Sequence, residues 1–453
     1  MTAVRWLADA TGAEVDGLEV GSHTLEFRPR DPPTALRCNL GDGKISIVAG
    51  SGAASAMLIF QAVFPFLLFA GKPSDGGDSG DTGAASVNEE DGKGKKNTRG
   101  GDQDTEFIEL EIHGGTNVSM SPSWEYVDQV LLPALEDIFA LGRIERRLVL
   151  RRWAQGSPND APRGTISFKF RPLRPGQTLT PSPTSPWTYA LNDRNEEANR
   201  EIRRIDATIL APEPLLAPLQ EALALDLETQ FPGAEARFPV LEDSEHASQI
   251  YVLLVAVSAS GLRWGRDLLN NRSRRGVVSK GGGGGGRGKK GAGAKERSEP
   301  DDVAPEISRR VCADLRAEVD RAGGLVDEHL QDQLVVFQAI AEGRTCFPRG
   351  AGSSASRAPR AGHDLRKEEN DGTGEIGHLE RSVAGLTLEQ ENGREEREGE
   401  KALKKDKRTH EPFGEGSTHT TTARWVASEL LPAAQWFNRG TVCDGAGVSF
   451  PER

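Results

Sequence analysis

The sequence predicts a mixed fold, α/β or α+β, and three observations lead there. Strand-like apolar runs recur at 44–49, 106–113, 164–170 and 250–259. Helical runs with apolar residues at three- and four-residue spacing lie between them. The resulting strand–helix–strand order, repeated along the chain, excludes a pure helical bundle or an all-β sandwich.

Residues 3–10 read as the tail of a helix, and 13–15 and 24–28 as two short strands around a Gly-Ser turn. A strand at 44–49 leads through Gly50-Ser51-Gly52 into an apolar run, 53–69, which is short for a membrane span and carries Gln61 and Pro65. Its flanks point to a buried helix. After the strand 106–113, Gly114-Gly115-Thr116-Asn117 makes a turn, and Ser123 or a neighbour caps a helix reaching about Leu141. Strands follow at 145–150 and 164–170. A new unit opens with a strand at 205–211, a helix at 214–229 and a strongly apolar strand at 250–259. Helices are expected at 312–322, from Asp327 onward, and after His419.

The 453 residues suffice for two or three domains. Stretches 71–104, 279–304 and 349–417 are polar, glycine-rich filler, leaving roughly 320 foldable residues, one large and one small domain. The run Gly281–Gly286 lacks the strand-turn-helix context and Gly-Lys-Ser/Thr ending of a phosphate loop, so it reads as a flexible insert. Residues 364–408 read as a solvated, mixed-charge insert. A net charge of −12 argues against a general basic coat and leaves room for a local basic groove. Cys38, Cys312, Cys346 and Cys443 form no CxxC pair, which disfavours a zinc site or disulfide framework and fits a reducing compartment. The first residues lack the apolar run of a signal peptide.

Four groups of residues bear on chemistry. In the run Val326–Phe337, His329, Asp332 and Gln333 share one helix face, while Leu330, Leu334, Phe337 and Ala341 form an apolar anchor. The same polar face also fits a merely solvated side. In Ser417–Leu431, Ser417 or Thr418 caps a helix and His419 stands at its first turn. Ala423, Val426, Ala427, Leu430 and Leu431 follow at the spacing of a buried stripe. Positive partial charge at a helix start favours a neutral imidazole, the form that attacks phosphorus; an exposed capping-region histidine fits the pattern too. Gly114-Gly115-Thr116-Asn117, with Ser119, Ser121 and Pro122, suits an anion or a nucleotide edge, or simply reverses the chain. Arg143, Arg146, Arg147, Arg151 and Arg152 surround a strand and suggest a phosphate-contacting track or a solvated edge.

In their order these pieces resemble the RNA 3'-terminal phosphate cyclase family. Thr11–Ser22 with Leu25–Pro29 looks like the family's early strand pair, and Gly50–Ser55 with Leu58–Pro65 like its Gly-Thr-Ala-Gly-Ser helix. The Gly-Gly-Thr-Asn turn, the Asp-Glu-His-Leu-Gln-Asp-Gln segment and the His-Thr-Thr-Thr segment follow. The resemblance implies a large domain of repeated βαβαββ-type units with a smaller α/β domain inserted: 1–204, then the insert 205–305, then 306–453.

The resemblance also implies an ATP-dependent reaction with a divalent cation such as Mg²⁺. His419 would take AMP from ATP and pass it to an RNA 3'-phosphate, which then closes to a 2',3'-cyclic phosphate. The implied nucleotide contacts are Gln61, Pro122, His329, Asp332 and Gln333, with His329 where the family often has an aromatic ring. Expected partners are RNA with a 3'-phosphate end and neither membrane nor DNA; the expected address is nuclear, with the cytoplasm second. The family's glycine-rich start and arginine-bearing loop have no counterpart here. A truncated first unit with an unpaired sheet edge and poor solubility is therefore expected. The rival within the resemblance is a cyclase-like ribosome-assembly factor that lacks the nucleophilic histidine.

Overall fold

The computed structural model describes residues 1–39, 43–51, 54–72, 107–153, 163–187, 199–246, 248–271, 303–321, 323–350, 413–414 and 416–451. Gly281–Gly286 and the charged stretch 364–408 lie outside the described residues, as does most of the other filler.

A complete β-α-β-α-β-β unit runs from β3 (Lys44–Val48) through α3 (Ala56–Leu67) and β4 (Ile108–His113) to α4, β5 (Glu145–Leu150) and β6 (Thr165–Phe170). Helix α4 is continuous from Trp124–Tyr126 through a π-turn, Val127–Leu131, into Leu132–Phe139. The strands lie in the order β3-β4-β6-β5, with β3 parallel to β4 and the other pairs antiparallel. One face is packed and the other wet, so the strands alternate. Ile45, Ile47, Ile108, Leu110, Ile112, Ile166, Phe168 and Phe170 point inward and are buried. On the wet face Glu145, Lys169, Glu109 and Lys44 stand opposite one another, alternating in sign across all four strands.

Ser55 starts α3, its hydroxyl accepting the N–H groups of Met57 and Leu58 at 3.1 and 3.2 Å. The apolar run is thus a buried helix of 12 residues. Among the described residues no helix is long and apolar enough to cross a membrane. Phe60 stacks on Phe168 at 4.2 Å, and Phe64 meets Phe170 edge-on at 5.0 Å and Phe337 of a later helix at 6.2 Å. Each such pair is worth about 0.5–1.5 kcal/mol beyond area burial.

The second sheet has the order β10-β9-β7-β8, formed by β7 (Ile202–Ala211), β8 (Glu235–Asp243), β9 (Gln249–Ser258) and β10 (Arg263–Asn271). Strand β9 lies inside it and is covered on both faces, which accounts for its unbroken apolar run. Helices α5 (Glu213–Gln230) and α6 (Val303–Val319) pack on each other, and α6 also covers β9 and β10. Helix α6 begins at Val303, earlier than 312, because Val303, Ala304, Ile307, Val311 and Leu315 continue one buried stripe back into the polar filler.

The last part joins α7 (Glu328–Ile340), β11 (Glu342–Cys346), α8 (Thr418–Leu430), β12 (Gln435–Phe437) and β13 (Val442–Ala446), with sheet order β11-β13-β12. At the other end, α1 (Thr2–Thr11) leads into a hairpin of β1 (Glu14–Asp16) and β2 (Glu26–Arg28), then α2 (Pro33–Asn39). Trp6 of α1 meets Phe66 of α3 edge-on at 6.2 Å.

Helix α8 corrects the sequence reading. Its buried face is Thr420 and Arg424, both under 5% exposed, while Val426 is 41% and Leu430 75% exposed. Of the apolar stripe that the spacing places inward, Val426 and Leu430 face out and Ala423, Ala427 and Leu431 are half-buried. Arg424 takes the inner position because its guanidinium donates to the Phe413 carbonyl at 2.9 Å and lies over Trp436 at 5.6 Å. Burial depresses its pKa to about 10.

Candidate active site

The start of α7 is fixed by Asp327, which is fully buried and saturated with donors. Its Oδ1 accepts the His329 and Leu330 N–H groups, each at 2.9 Å, and the Tyr126 hydroxyl at 2.7 Å. Its Oδ2 accepts the Gly265 N–H at 2.8 Å. Burial, then the neighbouring Asp327 charge, push the Tyr126 hydroxyl well above its ordinary pKa, so it remains a donor. One carboxylate thereby joins the first turns of α4 and α7 to β10. Gly265 is required for this approach: a Cβ there would lie 2.7 Å from the Tyr126 ring and 2.9 Å from Val130.

Above this anchor α7 presents the expected polar face. His329 is exposed, its ring edge-on to Tyr126 at 5.8 Å, with Arg266 Nη1 3.4 Å from Nε2. Asp332 is half-buried, and its Oδ1 accepts the Ser417 hydroxyl at 2.6 Å and the Thr420 hydroxyl. The Ser417 oxygen also accepts the Thr420 N–H at 3.0 Å, which caps α8. Burial raises the Asp332 carboxyl, while the Ser417 hydrogen bond and the charges of His329 and His419 oppose that rise. Gln333 accepts the side-chain amide of Gln61, which brings α3 to the same place. Pro122 stands just before the first turn of α4, whose cap Ser123 accepts the Tyr126 N–H at 3.0 Å.

His419 occupies the first turn of α8 and is exposed. It stands at the polar end of an apolar groove floored by Val336, Ile340, Ala423 and Val426. Among the described residues no three His, Cys, Asp or Glu side chains converge to hold a metal ion.

Two candidates change character. The Gly114, Gly115 and Thr116 N–H groups bond to the carbonyls of Gly164, Ala54 and Arg152 at 2.8–2.9 Å, so these three donors are already taken within the fold. The turn locks α3, β5 and β6 together, because buried backbone donors near strand ends are satisfied internally first. The arginines do not form one track. Arg146 pairs with Asp128 and Glu136, and Arg151 with buried Glu125 and with Glu242, leaving Arg143 and Arg147 exposed.

Sequence reasoning missed Glu318, a nearly buried hub on α6 that pairs with Arg266, Arg321 and Arg349. Burial raises its carboxyl, but Arg349 and Arg266 outweigh that and hold it below the ordinary range. Arg266 and Arg349 also reach Glu328 in the first turn of α7. Arg321 stands three residues on, but nothing local marks the hub, since Arg266 and Arg349 come from distant segments. The Ser417–Asp332 bond was half visible, as a cap whose partner was unknown.

Repeated strand–helix units, with polar side chains of α3, α7 and α8 joined across long sequence separations, define an α+β protein. A family model described as RNA 3'-terminal phosphate cyclase matches residues 1–85 and 103–359, and the chain belongs to that family. The RNA 3'-terminal phosphate cyclase of Methylococcus capsulatus is 27% identical over 350 residues, covering 77% of this chain and 72% of the relative. That of Pyrobaculum neutrophilum is 25% identical over 346 residues, covering 76% and 73%. A shorter match, to the cyclase of Ignicoccus hospitalis, is 30% identical over 173 residues and covers 38% of this chain and 35% of the relative.

Proposed function

We propose that this chain converts an RNA 3'-terminal phosphate into a 2',3'-cyclic phosphate at the expense of ATP, with His419 as nucleophile. The carrying observation is the pair of hydroxyls, Ser417 and Thr420, that flank His419 and bond to Asp332 of α7. They set the first turn of α8 against the helix face bearing His329 and Gln333. Family membership supports the reaction class.

The reaction balances in three displacements. An imidazole nitrogen of His419 attacks the α-phosphorus of ATP, pyrophosphate leaves, and a histidine–AMP phosphoramidate forms. An oxygen of the RNA 3'-phosphate then attacks that phosphorus and displaces the imidazole, leaving an RNA–adenylate. Finally the adjacent 2'-hydroxyl attacks the 3'-phosphorus, loses its proton and expels AMP. In this reading Gln61, Pro122, His329, Asp332 and Gln333 position the nucleotide, and Asp332 also fixes the nucleophile's helix. A divalent ion such as Mg²⁺ would in this reading arrive on the polyphosphate and neutralise its charge. We place the activity in the nucleus or cytoplasm, and assign 205–305 as the smaller inserted domain.

Incubation with α-labelled ATP and Mg²⁺ tests the proposal. The expected result is an acid-labile protein–AMP adduct, lost in His419→Ala and His419→Asn. Absence of label on folded protein would overturn it.

A further inference from the structure

A second cleft, of about 850 Å³, lies at the far end of the first complete unit. Strand β4 runs from this cleft, at Phe107, to the turn at Gly114 near Pro122, so about 20 Å of strand separates the two ends. Helix α4 likewise has its start beside the candidate site and its end, Phe139, in the cleft wall. The floor is apolar, with Phe139 and Leu179 buried and Leu173 half-buried. The rim carries Arg143 and Arg171, both exposed, and Glu145 is the one acidic residue among the described lining residues. Phe107 holds two cations at once: Lys169 Nζ and Arg171 Cζ each lie 5.2 Å from its ring centroid. The loop that closes the cleft is fixed in place, since Leu173 N–H bonds to the Leu68 carbonyl at 2.7 Å and Gly176 N–H to the Phe450 carbonyl at 2.8 Å.

A basic rim on an apolar floor is an exception in a chain of net charge −12. Guanidinium groups suit phosphates, an apolar floor with an aromatic ring suits nucleobases, and the volume falls at the upper end for small-ligand pockets. We infer that this cleft binds the single-stranded RNA segment upstream of the reacting 3' end, an inference that rests on the RNA substrate proposed above. At backbone spacings near 3.4 Å per nucleotide, about six nucleotides or fewer span the distance from the cleft to the α4 start. The cleft therefore selects for length rather than for the chemistry of the end.

The test is equilibrium binding of fluorescein-labelled oligouridylate 3'-phosphates of about three and about twelve nucleotides, by anisotropy without ATP. The longer strand is expected to bind the wild-type chain about tenfold more tightly. In Arg143→Glu/Arg171→Glu that advantage falls below about twofold, and the slope of log affinity against log salt shrinks by about 1.4. Arg147→Glu, exposed on the same unit outside the cleft, keeps the advantage. Should the charge reversal unfold the chain, Arg143→Gln/Arg171→Gln carries the same expectation. An undiminished advantage in the folded double variant overturns the inference. Adenylylation of His419 is measured beside it. Binding that depends on length without any label sinks the nucleophile and leaves the cleft standing; label with an unchanged length advantage does the reverse.

Discussion

The Asp332 carboxylate accepts the Ser417 hydroxyl at 2.6 Å, across 85 residues of sequence. That bond sets the start of α8 against the polar face of α7. It also brings the helix turn that carries the nucleophile candidate, His419, against a nucleotide-contact candidate.

Ser417→Ala removes both a helix cap and a donor to a raised carboxyl. A cap is worth about 1 kcal/mol, a loss that a urea titration would register. A purely structural loss stops there. A hydrogen bond to the charged form lowers a carboxyl pKa, so its removal lifts Asp332 further. The acid limb of the adenylylation profile should therefore move to higher pH, and an unmoved limb would exclude this role for Ser417.

Gly265→Ala forces a methyl group to within 2.7 Å of the Tyr126 ring. Overpacking of this kind costs about 1–3 kcal/mol. Thermal melting should fall by several degrees; an unchanged melt would mean that β10 and α4 are not held at this separation.

Asp327→Ala should destabilise more than Tyr126→Phe. The tyrosine change deletes one donor, at about 1–2 kcal/mol, and leaves Asp327 with three backbone partners. The aspartate change strands those three N–H groups and the Tyr126 hydroxyl together. Denaturant midpoints of the two variants settle the order.

Glu318→Gln leaves three arginines around a neutral amide, a break in a buried ion network worth about 3–5 kcal/mol. The pH dependence follows from the depressed carboxyl. A folded value below the ordinary 4.5 means that Glu318 stabilises fully above that range and progressively less as pH falls through its folded value. Asp267 and Asp332 have raised carboxyls and act oppositely: their ionised forms cost stability, and protonation relieves that cost on acidification. Stability curves below about pH 5 should show the Glu318 limb in wild type and lose it in the variant.

Much of the fold was legible because it rests on local periodicity. Strands β3, β4, β5, β6 and β9 announce themselves by alternation or by unbroken apolar runs, α3 by its apolar run and α4 by its serine cap. Strands β8 and β10 escaped notice because they are rich in charged and polar residues, and β11–β13 because they are short. The candidate site was legible as two separate helix patterns, on α7 and α8, but not as a cluster.

The sequence alone determined the α+β class, the polar face of α7 and the histidine at the α8 start, since each depends only on neighbours within a few residues. Tertiary structure decided which face of α8 is buried, turning Arg424 inward and leaving Val426 and Leu430 exposed. It also joined Ser417 to Asp332 and Gln61 to Gln333, and made a structural lock of the turn at Gly114. These outcomes depend on which groups meet across long sequence separations, and on the cost of burying a donor or charge without a partner.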